Sequence, residues 1–242
     1  MPLAESVAAA ERDWCVVIPV KDTRRGKSRI AVPPDVRRAL AIAMVRDTLA
    51  AVVRVPMVDR VIAVCDTERD AALLDQDRVI THIDRWPRGL NAAVTTGAAL
   101  ARQLNPDCNL AALPGDLPAL NSIQLSHTLA CARRHARSFV ADGEGTGTTL
   151  LAARRGHMLN PCYGTGSRML HAASGAVELT GGSLDSLRWD VDDLDSLCRI
   201  ASPTEGRDSL RSTALALGPW TTRVLTACLQ RGNNDPVATG GR

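Results

Sequence analysis

Three groups of side chains in this sequence could do chemistry together. They are the acids Asp116, Asp190 and Asp192, a run of cations after the first apolar stretch, and hydroxyls in two Gly-rich turns. Carboxylates in pairs hold hard divalent cations, which also take phosphate oxygens as ligands. Clustered Lys and Arg suit a polyphosphate, and hydroxyl donors suit a smaller anion such as a phosphate or carboxylate.

Asp116 stands in "LPGDLPAL", at the end of an apolar run. A turn aspartate often hydrogen-bonds its own backbone. Here Pro114 and Pro118 stiffen the turn and hold the carboxylate at an edge, as a Mg²⁺ ligand requires. In "LRWDVDDLDSL", strand alternation would point Asp190 and Asp192 to one side, where like charges repel unless a cation sits between them. The same stretch could supply a helix N-cap from Asp192 or Asp193, so a metal role for the pair depends on Asp116 lying opposite.

The cations are Lys21, Arg24, Arg25, Lys27 and Arg29, in "CVVIPVKDTRRGKSRI". Gly26-Lys27-Ser28 looks like the end of a P-loop. A P-loop needs glycine where Lys21 stands and a helix directly afterwards, and Pro33 and Pro34 delay the helix. The P-loop reading fails. A solvated basic loop is the plain alternative, but ligands bind outside the carboxyl ends of parallel strands, and five cations there suit a polyphosphate. The Gly-rich turns "DGEGTGTTLL" and "YGTGSRML" offer Thr148, Thr149, Ser167 and Arg168, with free backbone N–H groups expected where the second turn opens a helix. The five His residues form no metal or general-base pattern and read as surface or satisfied core residues.

These residues hang on alternating apolar patterns. "WCVVIPV", "VDRVIAVCD", "RVITHI" and "CNLAAL" read as strands. Between them stand helices opening at Pro34, at Thr67 and at Gly89, with a further helix from Ser122 to about Arg137. "SFVAD", "TTLLAAR" and "LRWDVDD" are expected as later strands, Ser167–Ala173 as a helix, and a short helix as leading to Ile200. Such alternation implies right-handed βαβ units and a parallel sheet. The expected organisation is an N-terminal extension over 1–12, one α/β domain over 13–230 with a mixed, mainly parallel sheet, and a disordered polar tail over 231–242.

Composition agrees with a single globular unit. The 242 residues are 45% apolar and 23% charged, with net charge +3 and only 2% aromatic residues. That leaves no case for a nucleic-acid surface, which would interleave basic and aromatic residues. The seven Cys are scattered and read as core hydrophobes of a reducing, cytoplasmic protein. Neither a signal peptide nor a membrane span is expected.

Taken in order, "VVIPVKDTRRGKSRI", "GLNAA", "LPGDLPAL", "DGEGTGTTLL", "GTGSR" and "WDVDDLDSL" resemble the guanylyltransferases of deazaflavin coenzyme F-420 biosynthesis, from about Trp14 to about Leu197. The resemblance implies the Rossmann-like nucleotide-diphospho-sugar transferase fold of GT-A type. It also implies a reaction that joins GTP to a phosphorylated three-carbon acid and releases pyrophosphate, the product passing to a downstream transferase. The acid would be phosphoenolpyruvate, 2-phospho-L-lactate or 3-phospho-D-glycerate; the Ala- and Arg-rich, bacterial-looking composition ranks phosphoenolpyruvate first. Carried over residue by residue, Asp116, Asp190 and Asp192 would hold Mg²⁺, and Thr148, Gly164 and Ser167 would bind the phospho-acid. Pro19, Val20, Lys21, Lys27 and Asp116 would meet the nucleotide, with Gly89, Leu90 and Asn91 near the guanine. Lys21, Lys27 and Asp116 would be the catalytic set. The alternatives are a same-fold molybdenum-cofactor guanylyltransferase or glycosyltransferase, and a non-catalytic nucleotide-binding module. An Ala-rich helical surface could also form a homodimer.

Overall fold

The computed structural model describes residues 12–24, 27, 30–74, 76–181, 184–201 and 215–234. Arg25, Gly26, Ser28 and Arg29, together with residues 1–11 of the expected extension and 235–242 of the expected tail, lie outside the described residues.

The first strand, β1 (Trp14–Val20), is buried at every position. Strand periodicity sorts its side chains between two cores. Trp14, Val16, Ile18 and Val20 enter one, with residues of the first long helix, α1 (Pro34–Val53). Cys15 and Val17 enter the other, beside α3 (Leu90–Leu104). Burying such a side chain on both faces of a sheet is worth about 1.5–3 kcal/mol each, which is why this run needs no alternation to be a strand. Within α3, a Cβ on Gly97 would collide with Val17 and come within 2.9 Å of Val64 Cγ2. The glycine therefore sets how closely α3 lies on the sheet.

The remaining elements are β2 (Val58–Cys65), α2 (Glu68–Ala71), β3 (Val79–Ile83), β4 (Asn109–Ala112), α4 (Ser122–Ala132), β5 (Arg137–Ala141), β6 (Thr148–Ala153), α5 (Ser167–Ala173), β7 (Val177–Glu178), α6 (Asp185–Arg188), α7 (Leu194–Ala201) and α8 (Pro219–Asn234). Seven strands form one sheet in the order β3-β2-β1-β4-β6-β5-β7. The pairs β1–β2, β1–β4, β2–β3 and β5–β7 are parallel, and β4–β6 and β5–β6 antiparallel, so the sheet is mixed and mainly parallel as expected. Because β6 runs backwards, its first residue, Thr148, lies at the same edge as the carboxyl ends of β1, β4 and β5.

Four expectations are corrected. Residues 187–193 are not a strand: Leu187 and Arg188 end α6, and 189–193 are irregular. Leu187 and Val191 are fully buried, and it is this burial, not a ladder, that produces the apparent alternation. The helix from Ser122 stops at Ala132, and Arg137 opens β5. The tail was expected from 231, yet α8 continues to Asn234. Finally, Cys131 and Cys198 are exposed, whereas Cys15, Cys65 and Cys108 are the core thiols.

Sequence reading passed over α8 altogether. Asp47, on α1 and only 4% exposed, takes the Trp220 and Thr221 N–H groups on its two carboxylate oxygens at 3.2 and 2.8 Å. Gly218 N–H donates to Pro118 O at 2.7 Å, so the last helix is tied to the segment that follows Asp116. Pro219 at the first helical position was the available signal.

Candidate active site

The loop after β1 is drawn inward by acids on the next βα connection. Asp22 N–H donates to Asp66 Oδ2 at 3.1 Å. Thr23 donates its N–H and its hydroxyl to the two oxygens of Asp70, at 3.0 and 2.8 Å. Asp70 is 1% exposed, and these bonds compensate its buried charge. The expected cations divide. Lys21 is exposed and lines a cavity of about 340 Å³. Arg24 folds back onto Asp22 through two hydrogen bonds of 3.0 Å. Lys27, with φ at 56°, reaches away from its own loop, and its ammonium pairs with Asp116 and lies 2.9 Å from Asp192 Oδ1.

The acid cluster is built by backbone. Thr48 on α1 accepts the Leu117 N–H at 3.1 Å and donates to Met44 O at 2.9 Å, which fixes the Pro114–Pro118 turn against α1. Asp116 O accepts the Val191 N–H at 3.1 Å. With Val191 turned into the core, its neighbours Asp190 and Asp192 flank the bond, and one carboxylate oxygen from each of Asp116, Asp190 and Asp192 lies within 4.8 Å of the others. Asp193 is the N-cap of α7: its Oδ1 accepts the Ser196 N–H at 2.7 Å, and Ser196 Oγ accepts the Asp193 N–H at 3.1 Å. That resolves the choice between cap and ligand in favour of Asp193 as cap.

The electrostatics match a cation site. Burial, reinforced by Asp116 and Asp192, pushes the Asp190 carboxyl up to about 7. Burial alone would lower Lys27; the Asp116 and Asp192 carboxylates outweigh it and hold the ammonium above its ordinary value. Asp116 Oδ1 is buried without a hydrogen-bond partner among the described residues, an acceptor that a hard cation would satisfy. The donor set, all carboxylate oxygen, suits Mg²⁺ or Mn²⁺ rather than a soft metal.

The two Gly-rich turns meet nearby, on terms other than expected. Asp142 uses its carboxylate on the Thr146 and Gly147 N–H groups at 2.9 and 2.8 Å. At the start of α5 the Ser167 and Arg168 N–H groups are taken by Gly164 O and Thr146 O at 3.0 and 3.2 Å. Arg168 pairs with Glu178 at 2.9 Å. Several of the expected donors, the Ser167 and Arg168 amides and the Arg168 guanidinium among them, are therefore already used in holding the turns together. The turns also carry hydroxyls: Thr148 and Ser167 are 8% and 2% exposed, and Thr149 Oγ1 is buried without a hydrogen-bond partner among the described residues. Gly164 has φ at 132°, open only to glycine, and nothing within 4 Å of where a Cβ would stand.

Pro19, Val20, Lys21, Lys27, Leu90 and Asp116 all line the cavity. Gly89, with φ at 94°, and Asn91 flank Leu90 at the mouth of α3. The Asn91 amide is engaged, accepting the Tyr163 N–H at 2.8 Å and donating to Tyr163 O at 3.0 Å. Asn91 thus joins the α3 side of the cavity to the turn that carries Gly164. Sequence reading missed this clamp, the Thr23–Asp70 tie and the His171 contacts described below; each joins positions far apart in the chain.

Residues 14–216 match the family described as guanylyl transferase CofC like. The chain belongs to this family. The phosphoenolpyruvate guanylyltransferase of Thermomonospora curvata is 46% identical over 184 residues, covering 76% of this chain and 81% of that protein. That of Streptomyces coelicolor is 39% identical over 221 residues, 90% of this chain and 99% of that one. Among solved structures, a Desulfovibrio desulfuricans protein described as a nucleotide-diphospho-sugar transferase superposes with a TM-score of 0.64 at 14% identity, covering 90% and 97% of the two chains. A Mycobacterium tuberculosis protein solved in complex with manganese gives 0.50 at 19%, covering 78% and 97%. The CofC-like chain therefore has the nucleotide-diphospho-sugar transferase fold and is a nucleotidyltransferase. Among its described residues no helix is long and apolar enough to cross a membrane.

Proposed function

We propose that this CofC-like protein transfers the guanylyl group of GTP to phosphoenolpyruvate, releasing pyrophosphate, with Mg²⁺ held by Asp116, Asp190 and Asp192. The observation that carries the reading is the convergence of those three carboxylates with Lys27, at the sheet edge that also carries Thr148. The relatives' shared name supplies the choice of acid.

The chemistry asks little of a base. A phosphate oxygen of phosphoenolpyruvate is already ionised; it forms a bond to the α-phosphorus of GTP as the bond to the bridging oxygen of pyrophosphate breaks. That accounts for a site rich in acids and cations but without an unpaired His. When bound, Mg²⁺ would offset the charge of the triphosphate and of the departing pyrophosphate. Lys21 and Lys27 would face the same oxygens, Lys27 stabilising the extra charge at the α-phosphorus. The hydroxyls of Thr148 and Ser167, with the Gly164 backbone, would hold the phospho-acid in line. Gly89, Leu90 and Asn91 would border the guanine.

The test is pyrophosphate release by the full chain with GTP and Mg²⁺, comparing phosphoenolpyruvate, 2-phospho-L-lactate and 3-phospho-D-glycerate, with the product identified by mass. Phosphoenolpyruvate is expected to give the highest kcat/KM. Preference for another acid would reassign the substrate, and silence with all three would overturn the reading.

A further inference from the structure

His171 lies four residues after Ser167 on α5, so both face inward, and it is completely buried. Its Nε2 lies 2.9 Å from the Cys162 backbone nitrogen. An amide N–H can only donate, so Nε2 carries the lone pair. The neutral ring then has its proton on Nδ1. Nδ1 stands 2.9 Å from Thr148 Oγ1, and the proton can only be donated to that oxygen. A hydroxyl that accepts from His171 keeps its own proton for another acceptor. In the opposite tautomer Thr148 would spend its proton on the ring and present only lone pairs, which repel an anion.

We propose that His171 is a positioning residue that orients the Thr148 hydroxyl proton towards the phospho-acid and holds the Cys162–Gly164 turn beside it. The inference rests on the reading of Thr148, Gly164 and Ser167 as the phospho-acid site. The surroundings support a neutral, fixed ring. Phe139 and Tyr163 pack on it with centroids 5.9 and 5.3 Å away, Tyr163 edge-on. Tyr163 is itself pinned, its hydroxyl donating to Ala112 O at 3.1 Å and its backbone gripped by Asn91. Burial, and then the Arg137 guanidinium, lower the ring to about 4. One side chain thus joins a strand end, a helix and a turn around a single hydroxyl.

The test uses the full chain. His171→Phe keeps the ring packing and removes both nitrogens; it should raise KM for phosphoenolpyruvate about tenfold and leave KM for GTP within about twofold. His171→Asn keeps a donor near Nδ1 and should recover most of the loss. In a Thr148→Val background, His171→Phe should add little, because its target is gone. Equal changes in the two KM values, or full additivity with Thr148→Val, would overturn the inference. Independently of turnover, ¹⁵N NMR of the histidine-labelled protein should show a protonated Nδ1 and a bare Nε2 for His171; a protonated Nε2 would overturn it. If the wild-type chain releases no pyrophosphate with any of the three acids, the proposed function fails, and the tautomer still decides whether His171 presents Thr148 as a donor.

Discussion

Lys27 Nζ lies 2.9 Å from Asp192 Oδ1 while also pairing with Asp116. A single ammonium thus bridges two of the three carboxylates that form the candidate metal site. It neutralises part of a cluster in which burial, and then the repulsion of Asp116 and Asp192, drives Asp190 upward. The same ammonium would have to turn towards the triphosphate when a dication arrives. In the proposed reaction Lys27 would therefore be both a substrate cation and a competitor of the metal.

Replacing Lys27 by Ala should separate those two roles. Turnover with GTP and phosphoenolpyruvate is expected to fall on the order of a hundredfold. Affinity for Mn²⁺, measured by calorimetry without nucleotide, should rise, because a rival cation has been removed. The variant should still unfold cooperatively. Weaker Mn²⁺ binding would mean that Lys27 holds the acids in place rather than competing for them.

The acid limb of stability should carry the signature of His171. The fold lowers its pKa from 6.5 to about 4, so the folded state favours the neutral ring. The associated stability is complete above about pH 6.5 and is lost as pH falls towards 4. His171→Phe has no such titration. Its Tm should decline less than that of the wild type between pH 7 and 4, in thermal melts with each pH treated as a separate comparison. Parallel curves would show that the ring is not held neutral by the fold.

Gly97 offers a test of how closely α3 must approach the sheet. In an exposed helix, Gly→Ala stabilises by about 0.5–1 kcal/mol. Here the added methyl would strike Val17 and crowd Val64. Gly97→Ala is therefore expected to destabilise by about 1–3 kcal/mol in denaturant titrations. A stabilised variant would mean that α3 yields at no cost.

Much of this fold is legible because its strands are buried on both faces. "WCVVIPV" and "CNLAAL" need no partner to be recognised as inner strands, and β1 and β4 indeed pair at the centre of the sheet. "LRWDVDD" misleads for the converse reason. Its apolar residues enter the core at irregular backbone positions, and spacing in the sequence does not distinguish that from a pleat. The acids could be named from the sequence, but what gathers them could not. The Asp116–Val191 backbone bond and the Lys27 pairs depend on how β4 and the segment before α7 are stacked. The Gly-rich turns show a third case: their donors were visible, but Asp142, Gly164 and Thr146 claim several of them first.

The docking of α8 bears on how the protein is made. The helix held by Asp47 and tethered to Pro118 is the last described element of the chain, yet its partners lie in the first helix and just after Asp116. A chain emerging from the ribosome can complete β1 to β4 early, but the turn bearing Asp116 stays without this brace until α8 itself has been synthesised. Closing so long a loop is entropically slow. Competence to bind a dication should therefore be a late event in the birth of the molecule, acquired only after most of its sheet has formed.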